Sequence, residues 1–317
     1  MDQTGQDSYD ILLTDLGENI RFFGVYDGHG IKGKYAANFV KDEIRKELIL
    51  NQNNIQKFSE KKDVDKYFKK LYNKIQTKFY KNSIDFDLSG SCAISILIIK
   101  NKCYIINLGD SRAVIGRIQI SPTPNTFVEN MIFNVTQKVA FQMSSDHKPD
   151  RYDEKERIEK NGGCIRLDNE EVNQPYRVYS KNDDSPGLAV SRSLGDLLGH
   201  TIGVSNIPEI SEKILDEMDS FIVIASNGVF NVMTSTEVVG FVFEKGEIYN
   251  EDNRQKIVEE LVQECRYRWE QINVYKEKLF YENLENMVNS DKKKEVLKKN
   301  IDDITAVICF FSIKIDE

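Results

Sequence analysis

Apolar and polar positions follow two rhythms along the chain. Residues 10–16 (DILLTDL) and 19–27 (NIRFFGVYD) are strand-like runs around a short glycine-containing turn and predict an antiparallel hairpin. From about Lys34 the rhythm lengthens: Val40, Ile44 and Leu48 recur every four residues among Lys and Glu, which predicts a helix. Residues 48–63 break that spacing and read as a surface loop. Residues 64–80 resume it through Phe68, Leu71, Ile75 and Phe79. Strand-like runs return at 92–99, 103–111 and 112–118. The turns between them are too short for a crossover helix, so neighbours are expected to pair antiparallel. Residues 126–143 continue the sheet with another hairpin, and 150–163 have helical composition that stops at Gly162-Gly163. Residues 164–190 hold no sustained period; with Pro175, Pro186 and many Asn and Asp they read as an irregular, mobile excursion. A buried strand at 219–226 is followed by helices at 235–245 and 253–272. The second carries an Ile257, Leu261, Cys265 stripe with Val258, Val262 and Trp269 beside it. A basic helical turn or two at 291–300 precedes a closing strand at 303–313.

Antiparallel strands with helices inserted in pairs suggest an α+β fold, a four-layer αββα sandwich of two antiparallel sheets flanked by helices. With no internal repeat, low-complexity segment or linker, residues 1–317 are expected to form a single domain. Hydrophobic residues at 40% and charged residues at 30% suit a soluble protein with a substantial core. A net charge of −8 argues against a nucleic-acid binder, and the basic stretch at 291–300 reads as a solvated face. The five cysteines are odd in number and include no CxxC pair, which points to a reducing compartment. No apolar run has signal-peptide or membrane-spanning character. An intracellular location, cytoplasmic or nuclear, with no membrane partner is expected.

Carboxylates cluster at predicted strand ends. Asp7 precedes the first hairpin, Asp27 ends its second strand, Asp110 ends the run at 103–110, and Asp302 and Asp303 open the last strand. One such Asp is ordinarily a turn residue or a cap. Four strand termini meeting at one edge would make an oxygen-rich cluster suited to magnesium or manganese. Gly28, next to Asp27, leaves room for a backbone carbonyl to approach an ion.

The chain resembles the metal-dependent protein phosphatases of type 2C, the PPM family of serine/threonine phosphatases. The resemblance rests on VYDGHG at 25–30, GSCAISILI at 90–98, NLGDSRAVIGR at 107–117 and DHKPDRYDEKERIEKNGG at 146–163. LAVSRSLGD at 188–196, PEI at 208–210 and DDITAVI at 302–308 follow in the family's order. It implies the αββα sandwich and a site for two cations, Mg2+ or Mn2+, that activates water and neutralises phosphoryl charge. Asp27 matches the residue bridging both ions, Gly28 a carbonyl ligand, and Asp302 a ligand of the second ion. Asp7 matches an acid that positions water and metal, and Asp110 a residue of a weaker third metal position. His29 matches the general acid, a task that suits imidazole; the bland reading is a strand-end histidine that only hydrogen-bonds. Asp303 stands where the family usually has Asn. Gln6 stands where many members have Glu. Residues 164–187 correspond to the family's substrate-selecting flap. Arg192 and Asp196 read as an internal salt bridge or turn, and His147 and His200 as structural.

Two departures matter. Residues 225–232 (ASNGVFNV) carry Asn227 where the family has an Asp that binds the second ion, and Asn231 where it has an Asp of the third position. An amide keeps a carbonyl oxygen and loses the charge, which at an effective dielectric near 20 and about 4 Å is worth about 4 kcal/mol. The family also has a phosphate-gripping Arg a few residues before the first acid, whereas 1–5 contain neither Arg nor Lys. Either the chain is part of a longer one or phosphate binding is weakened. Two functions therefore stand side by side. One is a phosphatase acting on phosphoserine and phosphothreonine of a phosphoprotein substrate, impaired by Asn227 and Asn231. The other is a pseudophosphatase that docks a partner protein.

Overall fold

The computed structural model describes residues 5–17, 19–124, 132–167, 175–286 and 301–311. The first hairpin forms as its pattern predicts: β1 (Ser8–Leu12) pairs antiparallel with β2 (Ile20–Tyr26), Ser8 opposite Tyr26. A two-residue strand, β3 (Gly28–His29), leads into α1 (Gly33–Leu50). The stretch expected to be loop after Leu48 instead contains a short helix, α2 (Gln52–Ile55), because Ile55 is drawn fully into the core. Helix α3 (Lys61–Tyr80) starts three residues before its apolar stripe, at a Glu60–Asp63 capping box that satisfies free N–H groups of its first turn.

After β4 (Gly90–Ser91), strands β5 (Ala93–Ile99), β6 (Lys102–Leu108) and β7 (Arg112–Pro124) follow in close order. The hairpin expected inside 126–143 takes another form. Strand β8 (Ile132–Gln142) folds back on β7 itself, and the expected first half, 126–131, lies outside the described residues. Helix α4 (Tyr152–Lys160) is followed by β9 (Gly163–Arg166), β10 (Arg177–Ser180) and β11 (Pro186–Leu188), a small antiparallel sheet in a stretch whose sequence shows no period. Then come β12 (Leu194–Gly195), α5 (Leu197–Thr201), β13 (Glu209–Ile214), β14 (Asp219–Ala225), α6 (Asn227–Phe230), α7 (Ser235–Ile248), α8 (Gln255–Asn286) and β15 (Ala306–Phe310). The basic stretch at 291–300 lies outside the described residues.

Two larger sheets organise the chain, one in the order β1-β2-β5-β6-β13 and one in the order β15-β14-β7-β8, all pairs antiparallel. Strand alternation divides their side chains among three apolar clusters. Phe22, Leu97, Tyr104 and Ile106 of the first sheet pack with Val40, Ile44 and Leu48 of α1 and Phe68, Leu71 and Ile75 of α3. Their neighbours Phe23, Ile96, Ile98 and Ile105 pack with Ala113, Ile115, Ile222 and Ile224 of the second sheet. Val114, Phe221, Val223 and Ala225 turn the other way, onto Val238 and Val242 of α7 and Ile257, Leu261 and Cys265 of α8. This is a mixed α+β fold built from antiparallel sheets and helices.

The register fixes where chemistry can gather. In the first sheet Val25 faces Ile94 and Ala93 faces Leu108, so Asp7, Asp27 and Asp110 leave one edge together. In the second, Ala225 pairs with both Arg112 and Ala306, so the segments at 226–227 and 302–305 leave one edge as well.

Candidate active site

The two edges meet. The Gln6 backbone N–H donates to Asp303 Oδ2, and the Ser226 hydroxyl donates to the Asp303 carbonyl at 3.2 Å. Three glycines let the segments close. A Cβ on Gly28 would collide with the Gly33 carbonyl and the Gln6 backbone, and one on Gly228 with the Asp303 carbonyl. A Cβ on Gly90 would strike the Asp196 carboxylate. Helix α8 buttresses the same corner, with Trp269 Nε1 donating to the Gly228 carbonyl at 2.8 Å.

Asp7, Asp27 and Asp302 form the acidic heart of this corner. Burial pushes the Asp7 carboxyl up to about 6, with Asp303 adding to the rise and the Thr305 and Ser226 hydroxyls tempering it. Burial likewise raises Asp302 to about 6, helped by repulsion from Asp7 and Asp110. Asp27 is driven well above the usual carboxylate range by burial, then by Asp7, Asp110 and Asp302; the Asn227 backbone N–H works against the rise. Both oxygens of Asp7, Oδ2 of Asp27 and Oδ1 of Asn227 are buried without a hydrogen-bond partner of ordinary geometry. Buried polar oxygens without partners are costly, and a bound cation would satisfy them. The donor set consists of oxygens, which suits Mg2+ or Mn2+. The unpartnered oxygens of Asp7, Asp27 and Asn227, with the Asp302 carboxylate beside them, thus fit such ions in donor type. The charge is short by one at Asn227.

The remaining sequence-predicted residues lie around this heart. Asp110 is buried beside it and paired with Lys148, Nζ to Oδ2 at 2.5 Å. Burial pushes its carboxyl up, and Lys148 outweighs that, so its pKa lies below the ordinary value. Asn231 ends α6 and is exposed. Asp303 is occupied by Gln6, and the Gln6 side chain donates to the Gly30 carbonyl at 2.8 Å, which ties down the turn after His29.

His29 lies 2.6 Å through Nε2 from Asp196 Oδ2, and Asp196 also accepts from the Ser193 hydroxyl at 2.5 Å. Burial alone would lower the imidazole pKa; Asp196 overrides it, and the net shift is upward. The salt bridge expected of Arg192 and Asp196 forms only in part. Arg192 makes one, with Glu154 and Glu209. Asp196 turns to His29 instead, from a left-handed backbone (φ 42°, ψ 53°) that a non-glycine residue adopts at a cost of about 1–2 kcal/mol. His147 and His200 bond the backbone at Gly109 and Ser193. Asp153, Glu154 and Glu209 form another acidic group, and Arg151, Arg157 and Arg192 neutralise it.

The sequence model of the family described as Protein phosphatase 2C matches residues 6–274. The chain belongs to the protein phosphatase 2C family. It is 30% identical over 259 residues to probable protein phosphatase 2C 35 of Arabidopsis thaliana, an alignment that covers 76% of this chain and 68% of that protein. It is 31% identical over 247 residues to probable protein phosphatase 2C 64 of Oryza sativa subsp. japonica, covering 78% and 53%. The chain thus spans between about half and two-thirds of these relatives' length. Among solved structures, the serine-threonine phosphatase 2C from Toxoplasma gondii superposes with a TM-score of 0.66 at 20% identity, over 98% of this chain and 91% of that one. A C. elegans sex determining protein superposes with a TM-score of 0.66 at 17% identity, over 97% and 61%. At these identities the likeness is one of fold. Among the described residues of this protein phosphatase 2C family member, no helix is long and apolar enough to cross a membrane.

Proposed function

We propose that the chain is a metal-dependent phosphatase of phosphoserine and phosphothreonine in proteins, with a cage weakened at Asn227. The observation that carries this reading is the trio Asp7, Asp27 and Asp302, two buried carboxylates and a half-buried one held against mutual repulsion. Such an arrangement is costly unless cations are bound there. In this reading the chain is one domain on a four-layer αββα sandwich, supported by the three apolar clusters, with 164–187 as its flap.

Asp27, Asp7, Asp302, the Gly28 carbonyl and the Asn227 amide oxygen would hold Mg2+ or Mn2+. A cation pair supplies, when bound, nucleophilic water at neutral pH and charge neutralisation for the phosphoryl group. His29 protonates the leaving serine or threonine oxygen, and Asp196 holds the ring in the orientation for that transfer. Asn231 faces solvent and is assigned no ligand role in this reading.

A second reading, a pseudophosphatase that docks a partner protein, is favoured by one observation: the oxygen that residue 227 offers is a neutral amide oxygen and adds no charge to the cage. One assay separates the two. Phosphate release from a phosphothreonine peptide is measured with manganese, with and without chelator, for the parent chain and Asn227→Asp. Chelator-sensitive release by the parent supports the phosphatase. No release by either protein at saturating manganese would leave the docking reading.

A further inference from the structure

Asp110 follows β6 at the same edge as Asp27 and is 2% exposed. Both its oxygens are engaged: Oδ2 by Lys148 Nζ at 2.5 Å, and Oδ1 by the Cys92 thiol at 3.5 Å. The lysine is held in place from several sides. The His147 N–H donates to the Gly109 carbonyl at 2.9 Å, and the Gly109 N–H donates to His147 Nδ1 at 3.0 Å. This double tie sets 147–148 against 109–110. One residue earlier, Asp146 is gripped by Arg112 through two bonds of 3.0 and 2.8 Å, and Arg112 lies 4.7 Å from the centre of the Phe230 ring. The Lys148 side chain is two-thirds buried. A fixed positive charge therefore stands on the carboxylate next to the cage. The exposed, neutral Asn231 brings no opposing charge.

We propose that the Lys148 ammonium is the built-in third cation of this site, holding Asp110 and closing that carboxylate to a divalent ion. A covalently tethered cation cannot dissociate, so this charge is present at any metal concentration. Its contact with Asp110 is a charge-assisted hydrogen bond that uses one of three ammonium protons. The other two remain for solvent or for a substrate oxygen. The inference rests on the two-ion reading only for the neighbouring cage; the Asp110–Lys148 pair stands without it.

The test is equilibrium Mn2+ binding to the metal-free full chain, followed by the electron paramagnetic resonance signal of free Mn2+. Four proteins are compared: parent, Lys148→Met, Asp110→Asn and the double variant. Asp110→Asn is expected to leave the number of bound ions unchanged. Lys148→Met is expected to gain one weak ion per chain, and the double variant to lose that gain. A bound ion lost in Asp110→Asn, or no gain in Lys148→Met, overturns the proposal. Circular dichroism checks folding. Should Lys148→Met not fold, Lys148→Arg, which keeps the charge, is expected to match the parent, and an ion gained there overturns the proposal as well. If the parent binds no Mn2+ at all, the two-ion reading fails, while the ion gained between Lys148→Met and the double variant still decides the role of Lys148.

Discussion

His29 and Asp196, 167 positions apart in the chain, form an imidazole–carboxylate pair of 2.6 Å at the mouth of the acidic corner. Gly90 pairs with His29 across β3 and β4, and its missing side chain lets the Asp196 carboxylate pass over that strand. Burial would deprotonate the imidazole, and Asp196 reverses the sign, so the ring keeps its proton to higher pH than an isolated histidine. A general acid must be protonated to act, so Asp196→Asn should move the alkaline limb of the kcat–pH profile toward acid. It should also lower kcat at neutral pH about tenfold or more, since a positioned acid contributes about 10²–10⁴. An unchanged limb with only a changed KM would remove Asp196 from this role.

Acidity of the cage gives a second expectation, about stability. Asp7 and Asp302 ionise near 6 in the folded protein against 3.8 unfolded. Between those values the folded state binds more protons than the unfolded one, so stability falls as pH rises, and the full cost is present above about 6. A rise of that size corresponds to about 2–3 kcal/mol per carboxyl. The chain in chelator should therefore melt higher at pH 5.5 than at pH 7.5. Excess manganese should raise the melting temperature at pH 7.5 and much less at pH 5.5, because protons and cations compete for the same oxygens. A melting temperature in chelator that rises with pH over this range would contradict the cage electrostatics.

Much of this corner is legible in the chain because strand ends are legible. Apolar runs that stop at Asp27 and Asp110, and one that starts just after Asp302, place carboxylates at strand ends, and antiparallel pairing carries those of Asp27 and Asp110 to one side. Asp196 and Lys148 are not legible as partners of His29 and Asp110. Each sits between regular elements, and its meaning comes from a tertiary contact spanning 167 and 38 residues. The one local hint at Asp196 is conformational: a left-handed backbone following Gly195, which sequence pattern does not display. The sheet formed by β9, β10 and β11 escapes the pattern for a related reason. Its strands have three or four residues, too few to show an alternation, and it is anchored by Val178 and Leu188 packing on Ile158 and Cys92.

Asn227 offers the cleanest charge change. Its side-chain oxygen is buried without a partner, and its backbone N–H already favours the ionised form of Asp27. Asn227→Asp adds a fourth acid to a crowded group, so two effects of opposite sign are expected. In chelator the variant should be less stable than the parent by about 1–3 kcal/mol, the usual range for leaving a buried group unsatisfied. With manganese the added charge is worth up to about 4 kcal/mol per ion at about 4 Å, so affinity should rise by at least tenfold. Calorimetric titration and melting in chelator read the two separately. Equal affinity in parent and variant would mean that residue 227 does not face the ions.

Glu154 supports the reactive corner from behind. It is fully buried in α4 and binds Arg157 at 2.8 and 2.7 Å, Arg192 at 2.6 Å and the Ser191 hydroxyl at 2.5 Å. Burial pushes its carboxyl up, and Arg157, Arg192 and Ser191 outweigh that, so it ionises far below the ordinary range. Such a group contributes stability above its unfolded pKa of about 4.5, and that contribution is lost only as pH falls well below it. Ser191 and Arg192 belong to the segment that runs on to Ser193 and Asp196, so this network also sets the strand from which Asp196 reaches His29. Glu154→Gln leaves three guanidinium groups, those of Arg151, Arg157 and Arg192, short of an anion and should cost about 3–5 kcal/mol in urea denaturation at pH 7. Arg192→Lys keeps the charge but loses the planar fork, and should cost less, about 1–2 kcal/mol. If Glu154→Gln denatures within about 0.5 kcal/mol of the parent, the network is not what fixes this segment, and the orientation of Asp196 must come from the Gly195–Gln76 contacts instead.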